Sequence, residues 1–120
     1  MTMKMITATI QPHMEGRVVR ALHELEHFPG FTIHEVRGQG RGRGAGGSFK
    51  LNEYNLFYHK KLVIEVVCEE AFAEQICATI LANAHTGRKG DGIVTVSDVE
   101  SMHRIRDAHA PAISKKDPKQ

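Results

Sequence analysis

The stretch LVIEVVC, residues 62–68, is almost continuously apolar and rich in β-branched side chains. Such a run is typical of a central strand that is covered on both faces. The segment after it predicts a helix, because its apolar residues recur at helical spacing. These residues are Ala73, Ile76, Cys77, Ile80, Leu81 and Ala84. The segment GIVTVSDV, residues 92–99, predicts a further strand, so this half of the chain has the order strand, helix, strand.

The preceding half shows the same succession of patterns. Residues 3–11, MKMITATIQ, alternate with a period of two and end before Pro12, which cannot donate to a β-ladder. A helical pattern follows and stops at the Pro-Gly pair 29–30. Its apolar residues are Met14, Val18, Ala21, Leu22 and Leu25. Residues 31–37, FTIHEVR, return to alternation and predict a second strand.

Two such halves in succession predict the α+β class, as a ferredoxin-like βαββαβ two-layer sandwich with both helices on one face of the sheet. The other face is expected to carry Ile10, Val63 and Val67, which are too apolar to remain in water. We therefore expect copies of the chain to associate through that open face. The domain is predicted to span residues 1–107, and residues 108–120 are predicted to form a frayed polar tail.

The composition limits the class of protein. A chain of 120 residues has room for one domain, and its net charge of +2 is too small to argue for nucleic-acid or membrane binding without a local patch. The two cysteines lie in apolar patterns, which favours core thiols in a reducing cytoplasm over a disulfide framework. No apolar run approaches the roughly 20 residues that span a bilayer, so we expect no direct membrane insertion.

A glycine-rich stretch, VRGQGRGRGAGGSFK at residues 36–50, separates the two halves. Its six glycines let backbone amides approach an anion, and its three arginines offer planar donors suited to phosphate. The spacing matches neither a Walker A motif nor a dinucleotide-binding fingerprint. A flexible linker, a phosphate-handling loop and an RG-type nucleic-acid segment all fit this pattern. Phe49 is its one aromatic residue, so the stacking platform expected for single strands is absent.

A second glycine-rich segment, HTGRKGDGI at residues 85–93, lies between the second helix and the last strand. Its glycines are expected to expose backbone amides, and its basic residues supply positive charge. These residues are Gly87, Gly90 and Gly92, with Arg88 and Lys89. A plain turn with a glycine helix cap is the alternative interpretation.

Two arginines follow the last strand. Arg104 and Arg106 are two residues apart, so on an extended segment both side chains point the same way, as a phosphate clamp requires. A solvated charged surface is the alternative interpretation of this pair.

Taken in order, VRGQGRGRG, TGRKGDG and RIR, together with the opening MITATIQP, resemble the PII signal-transduction (nitrogen regulatory P-II) family over about residues 3–107. The resemblance implies a homotrimer of ferredoxin-like subunits with an adenine nucleotide in each cleft between subunits. It also implies that residues 38–58 form the T-loop, which docks onto a target protein and whose base forms one wall of the nucleotide site.

The resemblance assigns site residues in four groups. They are Gly38, Gly40 and Arg41 at the loop base; Gly90, Asp91 and Gly92 in the phosphate-cradling turn, with Gly87 and Arg88 beside them; Arg104 and Arg106 as phosphate-binding arginines; and Thr32, Glu65 and Val67 around the adenine. Lys61 matches a lysine that contacts 2-oxoglutarate in the family. Tyr54 aligns with a tyrosine that some relatives have uridylylated.

Three positions depart from the family pattern. Gly42 replaces a glutamine that helps to hold Mg-ATP and 2-oxoglutarate, which argues against 2-oxoglutarate binding and leaves Mg²⁺ open. Ile93 replaces a lysine near the polyphosphate, which shifts the expected preference from ATP toward ADP or AMP. Tyr54 lies in the context KLNEY rather than the usual one, so its modification does not follow. The chain thus resembles a divergent PII-like branch, whose targets would include membrane transporters or metabolic enzymes.

Other functional classes find less support in the sequence. No catalytic triad or paired-carboxylate set stands out, and Asp91 in its glycine turn is better explained as shaping the backbone than as a base, so we expect no enzyme. Nucleic-acid binding through the RG stretch stays an alternative, as does a PII-like scaffold that senses a metal or another small ligand. The eight histidines show no metal-ligand spacing, so no metal site is predicted.

Overall fold

The computed structural model of the protein describes residues 2–39 and 59–114. Two α-helices and a four-stranded sheet make up most of it. In chain order the elements are β1 Met3–Ile10, a 3-10 turn Pro12–Met14, α1 Glu15–His23, β2 Thr32–Gly38, β3 His59–Glu69, α2 Glu70–Ala84, β4 Gly92–Val99, β5 Ser101–Met102, a 3-10 turn Ile105–Asp107 and β6 Ile113–Ser114. None of the helices in this part of the chain is long and apolar enough to cross a membrane.

The four long strands form one antiparallel sheet in the order β2-β3-β1-β4. Ile10 at the end of β1 lies opposite both Leu62 and Gly92, and Gly38 lies opposite His59. We call this edge, where β1 and β2 end and β3 and β4 begin, the loop end of the sheet. The opposite edge, where Met3 lies opposite Glu69 and Val99, is the far end. The topology confirms the ferredoxin-like α+β prediction.

The core lies between the sheet and the two helices, which pack against each other over one sheet face. Alternate strand residues and one stripe of each helix fill it. The fully buried larger side chains are Ile6, Ile10, Val18, Leu22, Ile64, Val66, Ile76 and Ile80. Each such side chain contributes about 1.5–3 kcal/mol relative to leaving it exposed, so this layer holds the fold.

The open face of the sheet differs from the prediction at one residue. Ile10 is 1% exposed and belongs to the helix-covered core, because it shares the face of Ile6 and Ala8 on β1. Val63 and Val67 do lie on the open face, and Val67 is 37% exposed. The prediction that both faces of β3 are covered is therefore wrong for the single chain, since only the face of Leu62 is buried.

Two further expectations are corrected in the same way. Leu81, placed in the apolar stripe of α2, is 53% exposed, because the buried stripe is narrower and runs through Ile76 and Ile80. In the segment predicted as a frayed tail, Ile113 pairs with Met102 and so returns to the strand β5.

Candidate functional site

The loop end of the sheet brings together several residues that the sequence assigned to one site. Gly38 ends β2, Lys61 lies near the start of β3, and the turn of residues 85–91 leads into β4 at the same edge. The antiparallel ladder places these segments at the same end of the sheet although they are far apart in the chain, with β3 and β1 lying between β2 and β4. Four sequence-predicted or altered positions lie outside the described residues: Gly40, Arg41, Gly42 and Tyr54.

Asp91 is the internal anchor of the turn. Its Oδ2 accepts hydrogen bonds from the backbone N–H of Thr86 at 2.8 Å and of Gly87 at 3.0 Å, and its Oδ1 accepts one from the Thr86 hydroxyl. The hydroxyl bond from Thr86, then the two backbone bonds and the nearby His85, hold the pKa of Asp91 below its usual value despite some desolvation. An ionised Asp91 thus shapes the backbone, as expected from its place in a glycine turn.

The glycines of the turn play different structural roles. The Gly87 N–H donates to Asp91, so the prediction that this amide is open to an anion is wrong. Gly92 has a positive φ of 107°, and a Cβ there would lie 1.8 Å from the carbonyl oxygen of Thr9. Only glycine lets β4 begin this close to the backbone of β1.

The third glycine of the turn, Gly90, is held from outside the turn. Its carbonyl oxygen accepts hydrogen bonds from Gln11 Nε2 and from Lys61 Nζ, both at 2.5 Å. Gln11 follows β1 and Lys61 belongs to β3, so this one oxygen joins three segments of the chain. Sequence reasoning missed Gln11. Its only local signal is its position between the end of a strand and Pro12, which does not reveal a partner 79 residues away.

The residues assigned to the adenine lie on the open face. Thr32 on β2 and Glu65 on β3 are directly paired, and Val67 follows two residues further along the same face. Glu65 Oε1 also lies 3.4 Å from Nδ1 of His34 on the neighbouring strand. At about 3.3 Å of rise per residue, Glu65 lies roughly 13 Å along β3 from Lys61.

The two arginines follow the end of the sheet opposite to the turn and Lys61. β4 runs from the loop end to the far end, a length of about 23 Å at the usual strand rise, before the chain reaches Arg104. The premise that both arginines lie on an extended segment is also wrong. Arg104 is extended, but Arg106 lies in a 3-10 turn, where the N–H of Asp107 donates to the carbonyl of Arg104.

The remaining candidate groups are the possible metal ligands and the thiols of the two cysteines. Within residues 2–39 and 59–114, no three His, Cys, Asp or Glu side chains converge as a metal site would require. Cys68 is buried in the core, and burial raises the pKa of its thiol. Cys77 is only half-buried and lines an open apolar groove with Leu81 and Val96.

A ferredoxin-like sheet with a rigid glycine turn at its loop end defines a small single-core domain of the α+β class. The model of the family described as Nitrogen regulatory protein P-II matches residues 3–109 of this domain. Proteins of that description from Azospirillum brasilense and Rhodospirillum rubrum are 40% and 38% identical over 104 residues, covering 87% of this chain and 92% of each relative. The chain belongs to the P-II family.

Membership of this family fixes the broad kind of activity. P-II proteins are signal-transduction regulators that sense small molecules, and they are not enzymes. Members act on target proteins as trimers. The chain is accordingly a regulator rather than a catalyst, in line with the expectation from its sequence.

Proposed function

We propose that this protein is an adenine-nucleotide-binding regulator whose nucleotide sites form between neighbouring copies of the chain. The observation that carries the proposal is the distribution of the predicted site residues over the two ends of the sheet. The turn and Lys61 lie at the loop end, whereas Arg104 follows the far end. We therefore propose that a site using both groups draws them from two copies of the chain.

The loop end has the chemistry that phosphate oxygens require. Arg88 and Lys89 bring positive charge to the turn, and both are exposed. Gly90, with a φ of 87°, has no side chain to obstruct the approach of an anion. The residues present thus fit a phosphate group, with charge-assisted hydrogen bonds supplied by the basic side chains.

The open face offers the second part of the site. Thr32 and Glu65 supply hydrogen-bonding groups, and Val67 supplies an apolar contact. Glu65 and Val67 lie about 13 and 20 Å along β3 from Lys61, and Thr32 is paired with Glu65. Arg104 and Arg106 of a neighbouring copy would complete the phosphate side.

The preference among nucleotides is proposed to depend on Ile93. This residue is 66% exposed, follows Gly92 in β4 and lies on the open face beside Thr9. An apolar side chain here adds no charge where a lysine would favour further phosphates. We therefore expect ADP or AMP to bind at least as tightly as ATP, without an effect of 2-oxoglutarate.

The output is proposed to be carried by residues 38–58. Gly38, the first residue of this segment, and His59, which follows it, are paired at the loop end. Lys61, two residues after His59, donates to the Gly90 carbonyl of the turn. Ligand binding at the turn would change the surface that the segment offers to a target, such as a membrane transporter or a metabolic enzyme.

The deciding experiment is isothermal titration of the purified protein with ATP, ADP and AMP, each with and without Mg²⁺ and 2-oxoglutarate, with the oligomeric mass measured by light scattering. About one nucleotide per chain of a trimer supports the proposal. No binding by any of the three would refute it, and salt-sensitive RNA binding in the same protein would favour the RG-segment alternative. A variant lacking residues 43–53 should keep nucleotide binding and lose capture of the target.

A further inference from the structure

We propose that Gln11 and Lys61 are positioning residues that hold the turn before β4 in the geometry that receives phosphate. The proposal rests on the proposed function and deepens it, because it assigns the shape of the phosphate site to two side chains from other strands. Gln11 has no part in the site that the sequence predicted. We call the two hydrogen bonds to the Gly90 carbonyl the Gly90 clamp.

Both hydrogen bonds of the Gly90 clamp are accepted by one atom, the carbonyl oxygen of Gly90. A carbonyl oxygen has two lone pairs, and Gln11 Nε2 and Lys61 Nζ each donate to it at 2.5 Å. One donor follows the end of β1, and the other lies on β3, so the two approach from different strands. Two donors on one oxygen fix the direction of the carbonyl better than one donor alone.

Fixing this carbonyl also fixes the amide on the other side of the same peptide bond. A trans peptide is planar, so the C=O of Gly90 and the N–H of Asp91 point in opposite directions. The clamp draws the carbonyl toward Gln11 and Lys61 and thereby turns the Asp91 N–H away from them. The carboxylate of Asp91 meanwhile holds Thr86 and Gly87, so both ends of the turn are tied.

The identity of residue 90 agrees with this role. A Cβ at Gly90 would lie 3.0 Å from Gln11 Nε2 and 3.5 Å from Lys61 Nζ. Its φ of 87° also disfavours any residue with a side chain. A side chain at this position would therefore displace the donors as well as strain the turn.

The clamp further connects the turn to the strand that follows residues 40–58. Lys61 is the third residue of β3 and lies opposite Val36 of β2, so its ammonium group would move with any shift of the paired ends of these two strands. Movement of Lys61 away from Gly90 would release one of the two donors. The clamp thus gives the loop base a direct physical route to the phosphate turn.

The test compares Gln11→Ala, Lys61→Met and the double variant with two matched controls. Gln75→Ala and Lys60→Met remove the same side-chain types from exposed positions. Lys60 is next to Lys61 in β3, but successive strand residues point to opposite faces of the sheet, so its side chain lies on the other face. The first measurement is amide hydrogen exchange of residues 85–92 in the nucleotide-free protein. The second is titration with ADP and with adenosine, which lacks the phosphates.

Each clamp variant should raise exchange in the turn and weaken ADP binding roughly 3- to 10-fold, as expected for loss of one hydrogen bond. Adenosine binding should not change, and neither control should alter either readout. The loss in Gln11→Ala cannot come from a lost charge, because glutamine is neutral. The double variant should lose less than the sum of the singles, since both donors act on one oxygen.

The outcomes separate this inference from the proposed function. Wild-type ADP affinity and unchanged exchange in Gln11→Ala and Lys61→Met would overturn the positioning role while the nucleotide function stands. An equal loss of ADP and adenosine binding would also overturn it, because the effect would then not act through the phosphates. Absence of any ADP binding by the wild-type protein would refute the proposed function itself, and the positioning role with it.

Discussion

The turn of residues 85–92 and the arginine segment of residues 103–107 were both assigned to phosphate from sequence, yet they are built differently. The turn is held within one chain by Asp91 and by the Gly90 clamp. Arg104 and Arg106 are exposed, and the N–H of Asp107 donates to the Arg104 carbonyl in the 3-10 turn that contains Arg106. One half of the proposed site is thus preorganised in the single chain, whereas the other half is proposed to complete the site of a neighbouring copy.

The largest loss of stability is expected from a substitution at Gly92, where the fold requires a residue without a side chain. Gly92→Ala combines a positive φ with a Cβ 1.8 Å from the Thr9 carbonyl oxygen. Backbone strain of about 1–3 kcal/mol and a steric cost of similar size predict a loss of ~3 kcal/mol or more. Urea unfolding monitored by circular dichroism at fixed protein concentration should show this loss.

Gly16→Ala is the matched control for that substitution. Gly16 lies in α1 with open space around it, so the same change there should raise stability by about 0.5–1 kcal/mol through helix propensity. Similar unfolding curves for the two variants would contradict the argument that β4 can begin only at glycine.

The next effect should fall on binding rather than on stability. Arg104→Ala and Arg106→Ala should each weaken nucleotide binding by roughly 1.5–3 kcal/mol, the value of a charge-assisted hydrogen bond. Because both side chains are exposed, the unfolding free energy should change by less than about 0.5 kcal/mol. Titration calorimetry and urea unfolding on the same samples check both statements, and wild-type affinity in both variants would remove the arginines from the site.

The smallest expected effect concerns pH. Asp91 has a folded pKa below its usual value, so its carboxylate stabilises the fold above the unfolded pKa of about 4 and loses that contribution as pH falls through the folded value. The Asp91→Asn variant should therefore be less stable than the wild-type protein at pH 7, and this difference in stability should become smaller below about pH 4. Thermal unfolding between pH 2.5 and 7 measures this difference in stability. A difference that stays constant over that range would contradict the statement that ionised Asp91 stabilises the fold.

Much of the fold could be read from the sequence, because its patterns are local. The predicted bounds of the last strand, 92–99, agree with β4, and the alternation of residues 3–11 gave β1 to within one residue. The first helix ends at His23 rather than continuing to Leu25. At this end of the helix the His23 ring stacks on the ring of Phe28, with the centroids 4.4 Å apart. Helical periodicity cannot reveal such a contact.

Part of the candidate site could also be predicted, because some of its contacts join residues that are close together in the chain. The carboxylate of Asp91 and the amides that it binds lie within five residues, so the glycine motif indicated a shaped turn. Gln11 and Gly90 come together only through the sheet, and no local pattern could join them. Ile10, by contrast, follows Ile6 and Ala8 at spacings of two, so the alternation along β1 was enough to place it on the core face.

The central claim, that two copies of the chain build each nucleotide site, is tested most directly by subunit complementation. One variant carries Arg88→Ala with Lys89→Ala, the other carries Arg104→Ala with Arg106→Ala, and the two are coexpressed with different tags so that mixed oligomers can be purified. Each variant alone should bind ADP poorly, whereas mixed trimers should regain about one site of wild-type affinity, formed by the intact turn of one copy and the intact arginines of another. Mixed trimers that bind no better than the separate variants would contradict the account.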